Sequence, residues 1–296
     1  MMKFLIIIPA HNEEENILFC LESLHNQTFK DYNVVVVNDG STDHTHELVE
    51  KFVLKNPDFK IQNLEKSEHQ PGAKVVRTFN KGLETVDISA FDIICKFDAD
   101  IIFPPDYLEK INAEYMQNPK IGMVSGIVKI KNSAFEEENA FSFHNETDRW
   151  QFENISSKNH VRGPIKSYRK DCFTDMNGLR PVLGWDNIDV MLAQKHGWEV
   201  QTIKDLWVKH LRPTAYKYKQ QKAEKLGEYF YNIGLNLPLA IVSSAKSSFK
   251  NKSISEFFIT ILSFSKQNSK RQLSQEEIHF IRTLRWNQIF NKKIKR

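Results

Sequence analysis

The feature that most constrains this chain is the way its first hundred residues alternate. "FLIIIP" (4–9) and "YNVVVVND" (32–39) are short, β-branched and apolar almost without a break, as expected for strands covered on both faces. After each, the apolar period changes. Ile17, Leu18, Leu21 and Leu24, then Leu48, Val49, Phe52 and Val53, then Val75, Val76, Phe79 and Leu83 recur at helical spacing. Ser41, Thr42 and Asp43 supply capping groups ahead of the second helix, and "KIQNL" and "FDIICKFD" read as further strands. Strands alternating with helices of this length predict βαβ units, hence an α/β fold with a mostly parallel sheet.

Beyond Pro104 and Pro105, "YLEKINAEYM" predicts a helix, "IGMVSGIVKI" a strand, and "IKSYRKDCF" a strand entering a helix. "WDNIDVMLAQKHG" is a helix ended by Gly197, and "EVQTI" and "LWVKHL" are expected as two short strands. Residues 131–160 have no clean period and are expected as loops or short helices over the site. From about residue 214 the chain turns helical, moderately apolar and increasingly basic. Residues 266–296 carry a balance of +7 within a total of +4, which leaves the preceding chain mildly acidic. That pattern excludes a uniformly basic nucleic-acid binder. A basic C-terminus suits an anionic membrane surface or simple solvation. No apolar run approaches the roughly 20 residues of a membrane span, and "MMKFLIIIPAH" lacks the parts of a secretory signal. Cys20, Cys95 and Cys172 are scattered, as in neither a disulfide framework nor a zinc site. A cytoplasmic protein is expected, with peripheral contact at the inner membrane as an option.

Asn12, Asp39 and Asp98 all fall at C-terminal strand ends, where open α/β sheets bind ligands. In an extended Asp98-Ala99-Asp100 both carboxylates would point one way, and such a pair repels unless a cation lies between. Hard oxygens suit Mg²⁺ or Mn²⁺, with substrate phosphates completing the shell; a solvated strand end is the other reading. Asp39 can accept a uracil imide N–H or a ribose hydroxyl, while Gly40, Ser41 and Asp43 form the turn and cap. Trp150, Phe141, Phe143 and Phe152 can stack on sugars or simply pack. His11, His144 and His160 have no metal-ligand spacing.

"IIIPAHNEEENI", "VVVVNDGSTDHT", "GAKVVRTFNKGL", "KFDADIIFPPDYL" and "GWDNIDVMLAQKHGW" occur in the order and spacing of family 2 glycosyltransferases. The chain resembles that family, and bacterial polysaccharide and lipopolysaccharide members in particular, over roughly residues 3–212. The resemblance implies the GT-A fold, Rossmann-like with flanking helices, over residues 1–213. Residues 1–100 would form the nucleotide-binding half and 101–213 the acceptor half, with a helical, basic extension over 214–296. It implies a nucleotide-sugar donor, with uridine favoured over guanosine, and a saccharide or lipid-linked saccharide acceptor. Pro9, Ala10, Asn12 and Glu13 would line the nucleotide pocket with Asp39 on the base. Lys74 or Arg77, and Asn80, would lie near the ribose or diphosphate. Asp98 and Asp100 would hold Mn²⁺ or Mg²⁺, with His210 approaching the metal and Arg212 behind it. Arg162, Gly163 and Trp185 would face the acceptor. Where many relatives carry the catalytic base, this chain has Asn187, so the role passes to Asp186, with Asp189 in support. That departure keeps a non-catalytic binding protein on the same fold as an alternative, with a nucleotidyltransferase a distant third.

Overall fold

The computed structural model describes residues 1–65, 72–131, 140–143, 149–154, 157–158, 160–212 and 222–294. Four parallel strands open the sheet in the order β3 (Phe59–Leu64), β2 (Tyr32–Asp39), β1 (Phe4–Ala10) and β4 (Ile93–Phe97). Successive side chains of a strand point to opposite faces, and this sequence fills both. Ile6, Ile8, Val34 and Val36 pack with Leu21 of α1 (Ile17–His25) and Val49 of α2 (Thr45–Val53). Leu5, Ile7, Val35 and Val37 pack on the other face with Val76 and Phe79 of α3 (Ala73–Leu83). The continuous apolar runs are therefore needed, one residue for each layer in turn.

Past β4 the sheet mixes direction. A short β5 (Ile101–Ile102) leads into α4 (Tyr107–Gln117), and β6 (Ile121–Lys131) pairs with β7 (Trp150–Phe152). The next strand, β8 (Ile165–Arg169), inserts antiparallel between β4 and β6. After α5 (Lys170–Asp175) and α6 (Trp185–Lys195), β9 (Glu199–His210) runs parallel to β6 and antiparallel to β5. The two short strands expected over 199–211 are one strand of 12 residues. An irregularity in the β6 register between Ser125 and Ile127 absorbs the polar Lys204–Asp205 interruption. Within the span expected as loops or short helices, β7 is a strand.

The C-terminal helices α7 (Lys222–Asn232), α8 (Leu237–Asn251), α9 (Ile254–Lys266) and α10 (Gln275–Ile294) are docked on the sheet domain. Phe230, Leu239, Phe264, Ile278 and Ile281 share one buried cluster with Ile188 and Leu192 of α6. Several basic residues of the C-terminal segment have structural partners. Arg282 donates to the Gly234 carbonyl (2.8 Å) and Arg271 to that of Leu235 (3.0 Å), at the end of α7, and Arg180 pairs with Glu277 of α10 (2.8 Å). Among the described residues no helix is long and apolar enough to cross a membrane. All three cysteines are buried free thiols.

Candidate active site

The loops that follow β1 and β2 are tied together by side-chain hydrogen bonds. Asn12 adopts a left-handed backbone conformation (φ 55°), which asparagine tolerates better than most residues. Its N–H donates to Ser41 Oγ (3.0 Å) and its Oδ1 accepts from the Thr42 N–H (2.8 Å), while the Glu13 N–H donates to Thr45 Oγ1 (2.7 Å). Pro9 and Ala10, the last residues of β1, lie beside Val37 and Asn38. At the end of β2, Asp39 is buried, accepts from Thr78 Oγ1 at 2.9 Å and meets Lys74 Nζ at 3.4 Å. Arg77 and Asn80 lie half-buried further along the same α3.

Asp98-Ala99-Asp100 is a turn between β4 and β5, not an extended segment. Its two carboxylates therefore meet different cations. Asp98, the more exposed, is held by Lys96 Nζ, which also donates to the Gly163 carbonyl at 3.3 Å. Asp100 is buried between His210 Nε2 (3.5 Å) and the Arg212 guanidinium (3.3 Å). Arg212 also pairs with Glu13, and His210 Nδ1 lies 3.2 Å from Glu153 Oε2. Glu153 in turn takes Arg162 at 2.8 Å. Burial raises the Glu13 carboxyl, and the Asp100 charge raises it further. For Asp100 burial also acts upward, but the hydrogen bond and charge of His210, then the charge of Arg212, hold it below the usual carboxylate range. Burial alone would lower the His210 imidazole; hydrogen bonds to Asp100 and Glu153 carry it up to about 9. In this cluster acidic and basic side chains alternate, each set against neighbours of the opposite type.

Beside this cluster, Lys96 of β4 stands directly opposite Lys166 of β8. Two like charges in register would repel, yet each has its own carboxylate. Lys166 Nζ reaches both oxygens of Asp189 at 2.7 Å and the Asp186 carbonyl at 2.5 Å, and Tyr168 donates to Asp189 Oδ2 at 2.7 Å. Both ammonium groups lie 5.2 Å from the Trp185 ring centre. Gly184 starts α6 with φ 96°, and an added Cβ would strike the Tyr229 ring at 2.5 Å, so both conformation and space require glycine there. The two acidic residues of "DNID" thus differ. Asp189 is fully buried and saturated, whereas Asp186 is partly exposed, with Asn187 Nδ2 3.4 Å from its Oδ1. Gly163 lies against Trp185 and Asp186: a Cβ there would be 3.3 Å from the first and 3.6 Å from the second. His160 is kept neutral by burial and then by Lys166, its pKa pushed down to about 4. His144 lies outside the described residues. Phe143 packs on Trp207 and Lys209, and Lys209 also lies over Trp150. Phe141 packs on Phe19, and Lys158 lies over Phe152.

Residues 5–174, more than half of the chain, match the family model described as Glycosyl transferase family 2. The chain belongs to this family. It is 27% identical over 128 residues to the poly-β-1,6-N-acetyl-D-glucosamine synthase of Staphylococcus epidermidis, a match covering 43% of this chain and 29% of that protein. The matched region is thus less than a third of that relative's length. Among solved structures, the fold is similar to the mannosyltransferase PcManGT from Pyrobaculum calidifontis in complex with GDP-Man and Mn²⁺. That likeness has a TM-score of 0.59 at 18% identity, over 91% of this chain and 76% of that one. S. aureus TarS 1-349 with UDP-GlcNAc gives 0.55 at 21%, over 95% and 78%. The family 2 glycosyltransferase has the expected GT-A architecture.

Several of its site residues give no signal as sequence. Glu153, the hub between His210 and Arg162, lies where no period is readable. Lys96 and Lys209 do leave a mark in principle, as lysines that interrupt apolar strand runs, whereas Lys166 lies in the more polar "IKSYR". A lysine buried there must be paired. Among the described residues no three His, Cys, Asp or Glu side chains gather as a ready metal cage. The donor chemistry nonetheless fits a hard divalent ion. Two carboxylates at one turn suffice when diphosphate oxygens and water complete the shell.

Proposed function

We propose that this glycosyltransferase transfers a sugar from a uridine-diphosphate sugar to a saccharide or lipid-linked saccharide hydroxyl during cell-surface polysaccharide synthesis, with inversion at the anomeric carbon. The observation that carries the reading is that Asp39 and the Asp98–Asp100 turn lie at the same end of the sheet, after β2 and β4 on either side of β1, and that Gly163, whose carbonyl accepts from the Lys96 that holds Asp98, lies beside Asp186. The Asp39 carboxylate, buried and fixed by Thr78 and Lys74, suits a nucleobase imide or ribose contact. Pro9, Ala10, Asn12, Glu13, Arg77 and Asn80 complete the nucleotide side. Asp98 and Asp100 are the residues that would hold Mn²⁺ or Mg²⁺, with His210 beside them. Such an ion, when bound, supplies Lewis-acid stabilisation of the departing diphosphate.

The chain's own groups account for the rest. Arg212, half-exposed between Glu13 and Asp100, offers positive charge where the leaving group becomes more anionic. Asp186 is the base. Its carboxylate removes the proton of the attacking hydroxyl as the glycosidic bond forms, through an oxocarbenium-like transition state. Asp189 does not exchange protons; clamped by Lys166 and Tyr168, it fixes the helix start that carries Trp185 and Asp186. Arg162, Gly163 and Trp185 form the acceptor floor.

A panel of nucleoside diphosphates titrated with and without Mn²⁺ tests the donor site. Uridine diphosphate is expected to bind most tightly and only with metal, and Asp98→Asn and Asp100→Asn are expected to abolish the metal-dependent part. Unchanged binding in both variants would remove the clamp. Asp186→Asn should retain nucleotide affinity while turnover falls by about 10²–10⁴-fold.

A further inference from the structure

Helices α8 and α9 each bury one face and leave the other bare. On α8 the inner residues are Ala240, Ser244 and Ser248. On α9 Thr260 and Phe264 lie against Gly227 of α7. The outer faces carry large apolar side chains in solvent, namely Ile241, Val242 and Phe249 on α8 and Ile254, Phe258 and Leu262 on α9. Ile254, Phe258 and Leu262 are four residues apart and form one stripe along α9. Phe249 and Ile254, 88% and 79% exposed, flank the turn at Lys252, whose left-handed backbone (φ 53°) reverses the chain. One exposed phenylalanine is ordinary, but a series on two consecutive helices marks a surface meant to be covered.

Charge decides by what. From Leu237 to Lys270 the exposed basic residues Lys246, Lys250, Lys252, Lys266 and Lys270 face a single acidic one, Glu256. A second copy pressed on the same face would oppose two strongly positive surfaces. An anionic bilayer satisfies both features, taking Phe, Ile and Leu into the acyl boundary while lipid phosphates meet the lysines. We infer that the outer face of α8 and α9 is a docking surface for an anionic phospholipid membrane. It extends the basic C-terminal segment expected from sequence and moves the contact away from α10, which is packed on the core. The surface stands apart from the donor site and does not rest on the donor or acceptor assignment. It does adjoin the acceptor side, because α9 packs on α7 and Tyr229 of α7 closes on Gly184 at the head of α6.

The test is co-sedimentation of the full chain with phosphatidylcholine vesicles, with and without phosphatidylglycerol. The wild type is expected to bind only the phosphatidylglycerol vesicles, and less at high salt. Phe249→Glu/Phe258→Glu/Leu262→Glu should weaken that binding by about tenfold or more, with its thermal midpoint and nucleotide diphosphate affinity unchanged. Lys246→Glu/Lys250→Glu should remove the preference for anionic lipid. Three outcomes would overturn the inference: a wild type indifferent to both vesicles, equal binding by the triple variant, or a solution dimer that this variant converts to monomer. Loss of nucleotide binding in the wild type would count against the donor reading alone.

Discussion

Asp189 and Lys166 show what a single buried charge demands. Both are removed from water almost completely, and neither would be tolerated alone. Burial pushes the Asp189 carboxyl up, and the ammonium of Lys166 and the Tyr168 hydroxyl act against it. Lys166→Met leaves a buried carboxylate without its counter-ion and is expected to cost about 3–5 kcal/mol. Lys166→Met/Asp189→Leu, which removes both charges, should recover much of that loss. Urea midpoints of the two variants measure the difference, and a double variant no more stable than the single would argue against a compensating pair. At Asp98 and Asp100 the compensation is different in kind, because each carboxylate is met by its own cations: Asp98 by Lys96, Asp100 by His210 and Arg212. The difference between Asp186 and Asp189 in "DNID" thus lies in exposure, which neither residue type nor spacing encodes.

At the scale of elements, the site exists because loops at the ends of β1, β2 and β4 lie side by side. The β1 and β2 loops are locked by the Asn12, Ser41, Thr42 and Thr45 hydrogen bonds. The C-terminal helices are held by close approach as well as by polar contacts such as Ser263 Oγ to the Glu224 carbonyl (2.7 Å). Gly227 lets α7 approach α9 so tightly that an added Cβ would lie 2.7 Å from the Phe264 backbone nitrogen and nearer still to the Thr260 carbonyl. Gly227→Ala, a change that normally favours a helix, is expected here to destabilise by about 1–3 kcal/mol through overpacking. A lowered thermal midpoint would bear this out, and a raised one would show that the helices can separate without cost.

For the whole molecule, the extension cannot be treated as a detachable tail. Ile278 and Ile281 of α10 are buried against the cluster that includes α6, and Arg282 and Arg271 satisfy carbonyls at the end of α7. Truncation before α10 uncovers that apolar surface and is expected to lower the thermal midpoint by about 10 °C or more, together with loss of a single cooperative transition. Differential scanning calorimetry of the truncated chain checks it; an unchanged midpoint would mean that α10 adds nothing to the core.

Strand and helix periods, together with ordered motifs, determined the α/β class, the parallel first half of the sheet and the placing of Asn12, Asp39 and Asp98 at the C-terminal ends of its strands. These are local properties, since side-chain alternation and turn chemistry act over a few residues. The tertiary structure alone decided the rest. It merged two expected strands into β9, turned the Asp98–Asp100 segment so that its carboxylates part, and brought Glu153 and His210 together across 57 positions. It also docked α10 on the core through Ile278 and Ile281 while leaving the outer face of α8 and α9 bare. Burial and counter-charge are set by what packs from far along the chain, and no short stretch of sequence carries that information.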